Sequence, residues 1–309
     1  MTKKLIALLT SVGLVVALAA CGAPASERQS IAATAAELGD FDTLLFALGE
    51  AGLDGLFADD EAGPFTVFAP TDDAFAALPD GVLDAVLADD ELLASVLTYH
   101  VLEGAQTPLA LVNAGAVATL QGLPLCFAAD GSSFSVNGDT VAAGPIQATN
   151  GSIYAGSAVL NPFDSIAGLA IASGTFDTLV AAVAAADLVT PLVCGGPFTV
   201  FAPTEQAFAD LLAALDVTAE ELLADTELLT QVLLYHVVEG TLDYEAVEAA
   251  LIAGDGTVVL PTLQGGSITV TLDNGGVFID GNAEVVDVDI LARNGVIHVI
   301  DAVLVPDLD

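Results

Sequence analysis

The sequence predicts two tandem domains of the α+β class, and three observations carry that expectation. The heptad Phe-Thr-Val-Phe-Ala-Pro-Thr stands at Phe65–Thr71 and again at Phe198–Thr204. Other strings return around it in the same order: Ser-Ile-Ala at Ser30 and Ser165, Phe-Asp-Thr-Leu at Phe41 and Phe176, Tyr-His-Val at Tyr99 and Tyr235, Thr-Leu-Gln-Gly at Thr119 and Thr262, and Asn-Gly at Asn150 and Asn294. Their separation widens slowly, as duplication followed by small loop insertions would leave it, and it far exceeds a solenoid period. Within each copy, helical periodicity comes first and strand patterning later, which reads as α+β rather than alternating α/β. A chain of 309 residues is long enough to bury two separate cores.

The N-terminus has the pattern of an export signal. Lys3 and Lys4 precede an apolar run that ends at Cys21, too short for a membrane span and flanked as a signal peptide is. Leu18-Ala19-Ala20-Cys21, followed by Gly22, resembles the lipobox of secreted prokaryotic lipoproteins. The resemblance implies cleavage before Cys21 and lipid on its thiol and new amino group; an ordinary signal peptide with an incidental cysteine is the other reading. Residues 1–20 are thus expected to be removed. Residues 21–29 would form a lipidated cysteine and polar tether, so that lipid alone attaches the protein to a membrane.

The first copy is placed at residues 30–161. Phe41, Leu44, Leu45 and Leu48 have the spacing of a core-facing helix. Phe65, Thr66, Val67 and Phe68 favour a strand without polar alternation, so both its faces should be covered. Pro70 ends the ladder, and Thr71 is set to cap a helix whose first turn holds Asp72 and Asp73. Asp89 or Asp90 caps a further helix with Leu92, Leu93, Val96 and Leu97 on one face. The second copy, residues 162–309, repeats the joint with Pro203, Thr204 and Glu205. Val- and Ile-rich runs then alternate with turn signals at Asn137-Gly138, Asp280-Gly281 and Asn294-Gly295.

Forty-two acidic residues face four Lys and Arg, for a formal net charge of −38. Without the export signal, Arg28 and Arg293 are the remaining cations, so most carboxylates repel one another across a solvated surface. Salt shortens that repulsion, from about 10 Å at 0.1 M to about 3 Å at 1 M. We therefore read the chain as adapted to salty surroundings and expect its melting temperature to rise in molar NaCl; equal melts at low and molar salt would refute this. The same charge excludes nucleic acid as a partner and disfavours direct adsorption to anionic headgroups.

Little in the sequence points to catalysis. His100 and His236 are equivalent positions in different copies, and no CxxC, HExxH or paired-His spacing announces zinc. His298 lies between Ile297 and Val299 and reads as a core histidine. Glu103 and Glu239 follow a histidine by three residues, but no nucleophile elbow or phosphate loop accompanies them. No catalytic residue, metal site or cofactor is assigned. Divalent cations are expected at most as a weak, nonspecific atmosphere, since no EF-hand loop is present. Cys126 and Cys194 fall in different copies and either pair across the two or remain as buried thiols; export permits the bond.

Four motifs taken together, "FTVFAPTDDAFAAL", "LLASVLTYHVLEG", "TLQG" and "NGVIHVIDAVLVP", resemble the fasciclin-like domain in order and spacing, in both copies. The resemblance implies a β-sandwich or wedge in each domain, with helices mainly from its N-terminal half. It implies non-catalytic adhesion to a surface protein or an extracellular polymer, outside the cytoplasmic membrane. It also implicates Tyr99, His100, Tyr235 and His236, since a Tyr-His motif at this place serves adhesion in some animal members. The first copy departs at its end, where Tyr154 and Ser157 stand in place of His298 and Asp301. The competing expectation is a small-ligand or hydrolytic protein of the envelope, working in a pocket near one Tyr-His pair.

Overall fold

The computed structural model describes residues 28–131, 133–273 and 275–306; Cys21 and the export signal lie outside them. In the first copy the strands are β1 (Phe65–Pro70), β2 (Val101–Glu103), β3 (Ala116–Ala118), β4 (Pro124–Asp130), β5 (Ser133–Val136), β6 (Asp139–Gln147) and β7 (Gly151–Gly156). They form one sheet in the order β2-β1-β7-β6-β5-β4-β3. The second copy has β8 (Phe198–Pro203), β9 (Val237–Glu239), β10 (Thr257–Pro261), β11 (Ser267–Asp273), β12 (Gly276–Ile279), β13 (Ala283–Ala292) and β14 (Gly295–Ile300). Their order, β9-β8-β14-β13-β12-β11-β10, is the same topology again, and no strand of one copy joins the sheet of the other.

The repeated heptad is the centre of each sheet. β1 runs parallel to β7, from Phe65 opposite Gly151 to Pro70 opposite Gly156, and β8 runs parallel to β14 in the same way. Val67 and Ala69 point with Ile153 and Ala155 into a core capped by helices Ile31–Leu38, Asp42–Glu50 and Asp90–Tyr99. Phe68 and Tyr154 point the other way, into a core closed by Leu125, Phe127 and Val136 of β4 and β5. Burial on both faces is why these strands lack polar alternation. Register shifts between Val141 and Ile146 in β6, and between Val285 and Ile290 in β13, bend each sheet so that its far strands fold back over its centre. A single bent sheet thereby makes the wedge.

Helix capping follows the sequence, with one addition. Thr71 and Thr204 accept from the amides of Ala74 and Ala207, and Asp89, rather than Asp90, caps helix Asp90–Tyr99. The acids after the threonines also serve a second helix. Helix Asp42–Glu50 begins at Phe41, which has no capping side chain; the Asp72 carboxylate instead accepts from the Thr43 amide at 2.8 Å. That bond holds the Asp72 carboxyl below its usual pKa. Glu205 repeats the arrangement on Thr178, at 2.8 Å to the amide and 2.6 Å to the hydroxyl.

Candidate functional site

Helices Asp90–Tyr99 and Thr226–Tyr235 end at the Tyr-His pairs, where each chain turns into an edge strand of its sheet. Tyr99, His100, Tyr235 and His236 are only 1%, 2%, 8% and 3% exposed. The four residues to which the resemblance assigns an adhesive role are thus buried within the folded domains. Their spacing places them on the inner side of the helix end, where they join backbone segments.

Each histidine uses both ring nitrogens for that purpose. His100 Nε2 accepts from the Leu160 amide at 2.9 Å, so its proton sits on Nδ1 and is donated to the Val96 carbonyl at 2.7 Å. His236 does the same between Leu304, at 2.9 Å, and Val232, at 2.8 Å. Burial pushes both imidazole pKa values down to about 4, the bond to the Val96 or Val232 carbonyl opposing it only in part. Each ring thus fastens the segment after the last strand to a helix end, with no nitrogen left for a proton transfer involving Glu103 or Glu239.

The tyrosines clasp the far strands. Tyr99 Oη donates to the Pro124 carbonyl at 3.1 Å and accepts from Asn137 Nδ2 at 2.9 Å, while Asn137 Oδ1 accepts from the Cys126 amide at 3.0 Å. In the second copy Asp280 stands where Asn137 does, and Tyr235 Oη has two acceptors within 3.0 Å, the Ser267 carbonyl and Asp280 Oδ2. One hydroxyl proton cannot serve both fully. We expect Asp280→Asn to restore the first copy's chain of donors and to stabilise the second domain by about 1 kcal/mol. Urea unfolding beside Asp255→Asn, an exposed residue with the same positive φ, checks this; an equal gain in both variants would assign the effect to charge alone.

His298 and Tyr154 are alternative solutions to one problem. His298 Nε2 donates to the Leu242 carbonyl at 2.7 Å, and Tyr154 Oη donates to the equivalent Gln106 carbonyl at 3.0 Å. Asp301 and Ser157 serve strand ends instead, Asp301 accepting from the Glu284 amide and Ser157 donating to the Thr140 carbonyl. His298 and Asp301 therefore act separately.

Two asparagines that sequence reasoning left as turn markers prove central. Asn150 Oδ1 accepts from the Ile31 amide at 2.8 Å, and its Nδ2 donates to the Phe57 and Asp59 carbonyls at 3.2 and 2.9 Å. Asn294 binds the Ile166 amide at 2.9 Å and the Leu192 and Gly195 carbonyls at 2.8 and 2.9 Å. Each ties the start of the first helix and the approach to the central strand onto the closing hairpin. Their recurrence at equivalent positions was the available signal.

The two domains meet along a seam. Cys126 of β4 and Cys194 form a disulfide, and Val193 of helix Val189–Cys194 packs into the same cluster as Leu125 and Phe127. The first domain's second core is thus completed by a helix of the second. Arg293 Nε donates to Asp164 at 3.1 Å, and its Nη2 donates to the Val193 carbonyl at 3.2 Å. Burial raises the Asp164 carboxyl pKa, and Arg293 draws it partly back. Among the described residues every buried side-chain nitrogen and oxygen has a hydrogen-bond partner, and no group of three His, Cys, Asp or Glu is placed to hold a metal ion.

The repeated wedge, with its buried polar groups given over to holding segments together, defines a class of scaffold domain. The fasciclin domain family matches residues 39–162 and 174–306, and the chain belongs to that family. Protein sll1483 of Synechocystis sp. is 39% identical over 177 residues, which is 57% of this chain and 92% of that protein. Transforming growth factor-beta-induced protein ig-h3 of Sus scrofa is 31% identical over 250 residues, covering 79% of this chain but 35% of its own length. Periostin of Homo sapiens is 31% identical over 168 residues, 54% of this chain and 20% of periostin. The chain therefore spans about a third of ig-h3 and a fifth of periostin. A solved FAS1 domain pair from the insect cell adhesion molecule Fasciclin I covers 88% of this chain and 98% of its own, at 19% identity and a TM-score of 0.42.

Proposed function

We propose that this protein is a non-catalytic attachment module, held outside the cytoplasmic membrane by lipid on Cys21 and binding a surface protein or an extracellular polymer. The observation that carries this reading is the internal commitment of His100, His236 and His298, each of which bonds backbone groups of its own domain. The imidazoles, which could otherwise do acid–base work near neutral pH, are spent on the scaffold, which favours attachment through the outer surface. The disulfide between Cys126 and Cys194 supports an oxidising location. Among the described residues no helix is long and apolar enough to cross a membrane.

Two measurements test the proposal. Cys21→Ser should move the protein from the membrane fraction to the soluble one and abolish incorporation of labelled palmitate; unchanged fractionation would remove the anchor from the reading. The mature soluble form, immobilised and washed in molar salt, should retain cells or envelope material saturably. Failure to retain either, or turnover of ester or glycoside substrates by the purified protein, would overturn the attachment role.

A further inference from the structure

We propose that the first domain binds a small uncharged or cationic hydrocarbon in a cavity beneath helix Val82–Leu87, a role beyond attachment. The cavity measures about 230 Å³ and lies between that helix, helix Asp90–Tyr99 and the segment from Val159 to Phe163. Native interiors hold few voids larger than a water molecule, whereas an apolar cavity of about 150 Å³ stays dry and takes benzene. This one is roomier and is lined by Leu44, Phe75, Val86, Leu93, Val96 and similar side chains.

Its polar groups specify what can enter. His100 reaches the wall, but both its nitrogens are occupied by Val96 and Leu160. Asn161 also reaches it, with its side-chain oxygen accepting from the Phe163 amide. A ligand therefore gains mainly from hydrocarbon, and neither nitrogen of His100 is free to bond a polar group. The covering elements carry Asp80, Asp84, Asp89 and Asp90, and the sequence has no Lys or Arg between Arg28 and Arg293. A carboxylate or phosphate at the mouth would be repelled, so fatty acids and anionic lipids are disfavoured, most strongly at low salt.

The cover is built to yield. Helix Val82–Leu87 has no buried residue and begins at Gly81 without a capping side chain. In the second domain the counterpart helix Ala219–Ala224 also has no buried residue, but a capping box of Thr218 and Glu221 fixes its start. The preceding helix is extended to Glu205–Leu215, whose Phe208 and Leu211 share one cluster with Leu179, Leu223 and Leu229. Binding should therefore map to the first domain.

Methyl NMR titration of the mature protein with n-octanol, octyltrimethylammonium and octanoate tests the proposal. We expect saturable shifts at Leu44, Leu93 and Val159 with the first two ligands and much weaker shifts with octanoate. Val86→Phe should fill the space, raise the melting temperature and lose the octanol shifts; Leu83→Phe replaces it if that variant does not fold. The wild-type map decides the matter if neither folds. Absence of saturable shifts, shifts confined to the second domain, octanoate binding as tightly as octanol, or undiminished binding by a folded filled variant would each overturn it.

Discussion

Gly295→Ala is expected to abolish the fold of the second domain. Gly295 opens β14 at φ +151°, directly opposite Phe198 of the repeated heptad, and a Cβ there would sit 1.9 Å from the Phe198 carbonyl oxygen. Neither strand can retreat. The Phe198 amide is bonded to the Asn294 carbonyl at 3.0 Å, and Asn294 is anchored by its own side chain. Gly196, on the other side of the joint, would in turn place a Cβ 2.5 Å from the Asn294 carbonyl oxygen. Among the glycines of the second domain, the least room for a Cβ thus lies where the parallel pair begins. Opening it would cost the β8–β14 ladder and the burial on both its faces, an effect above about 4 kcal/mol against a typical domain stability of about 5–15 kcal/mol.

Gly281→Ala supplies the comparison within the same domain. Gly281 also has positive φ, +76°, but a Cβ there meets nothing within 4 Å. Only the conformational penalty remains, about 1–2 kcal/mol. Urea unfolding should therefore show a modest shift for Gly281→Ala and loss of the second domain's transition for Gly295→Ala. Similar midpoints for the two variants would show that steric approach is not what these glycines provide. Gly151→Ala is expected to do to the first domain what Gly295→Ala does to the second, since its Cβ would lie 2.1 Å from the Phe65 carbonyl oxygen.

The Asn-Gly pair marks how far the sequence could be read. Its recurrence was visible, and its hairpin role follows from turn chemistry. What the asparagine side chain reaches, and which strand the glycine lets approach, depends on segments more than eighty residues away, for which local pattern holds no information. Helix stripes, the threonine caps and the unalternating central strands were legible because each depends on neighbours within a few positions. The Tyr-His pair was legible as a landmark, but whether its rings face solvent was not; helix phase turns both toward the interior. The seam was half legible. Two cysteines in different copies allowed a bond, but nothing in their spacing indicated that helix Val189–Cys194 would complete the first domain's core.

The buried histidines make stability depend on pH with a definite sign. His100 and His236 have folded-state pKa values near 4, against about 6.5 in an unfolded chain. Between those values the unfolded state binds more protons, so stability falls as pH drops through the window and levels off below it. A difference of roughly 2.5 units sets an upper bound of about 3 kcal/mol per ring. The structural reason is specific: a proton on Nε2 would face the Leu160 or Leu304 amide, turning an acceptor into a second donor. Protonation of the acidic surface relieves repulsion over an overlapping range and works in the opposite direction, so the experiment belongs in molar NaCl, where that repulsion is screened. Urea unfolding at steps from pH 7 to pH 4 should show stability falling, and ring ¹⁵N shifts of the folded protein should show the Nδ1–H tautomer persisting below pH 5. Rings that titrate near pH 6.5 with the fold intact would mean that these nitrogens do not hold the chain segments together.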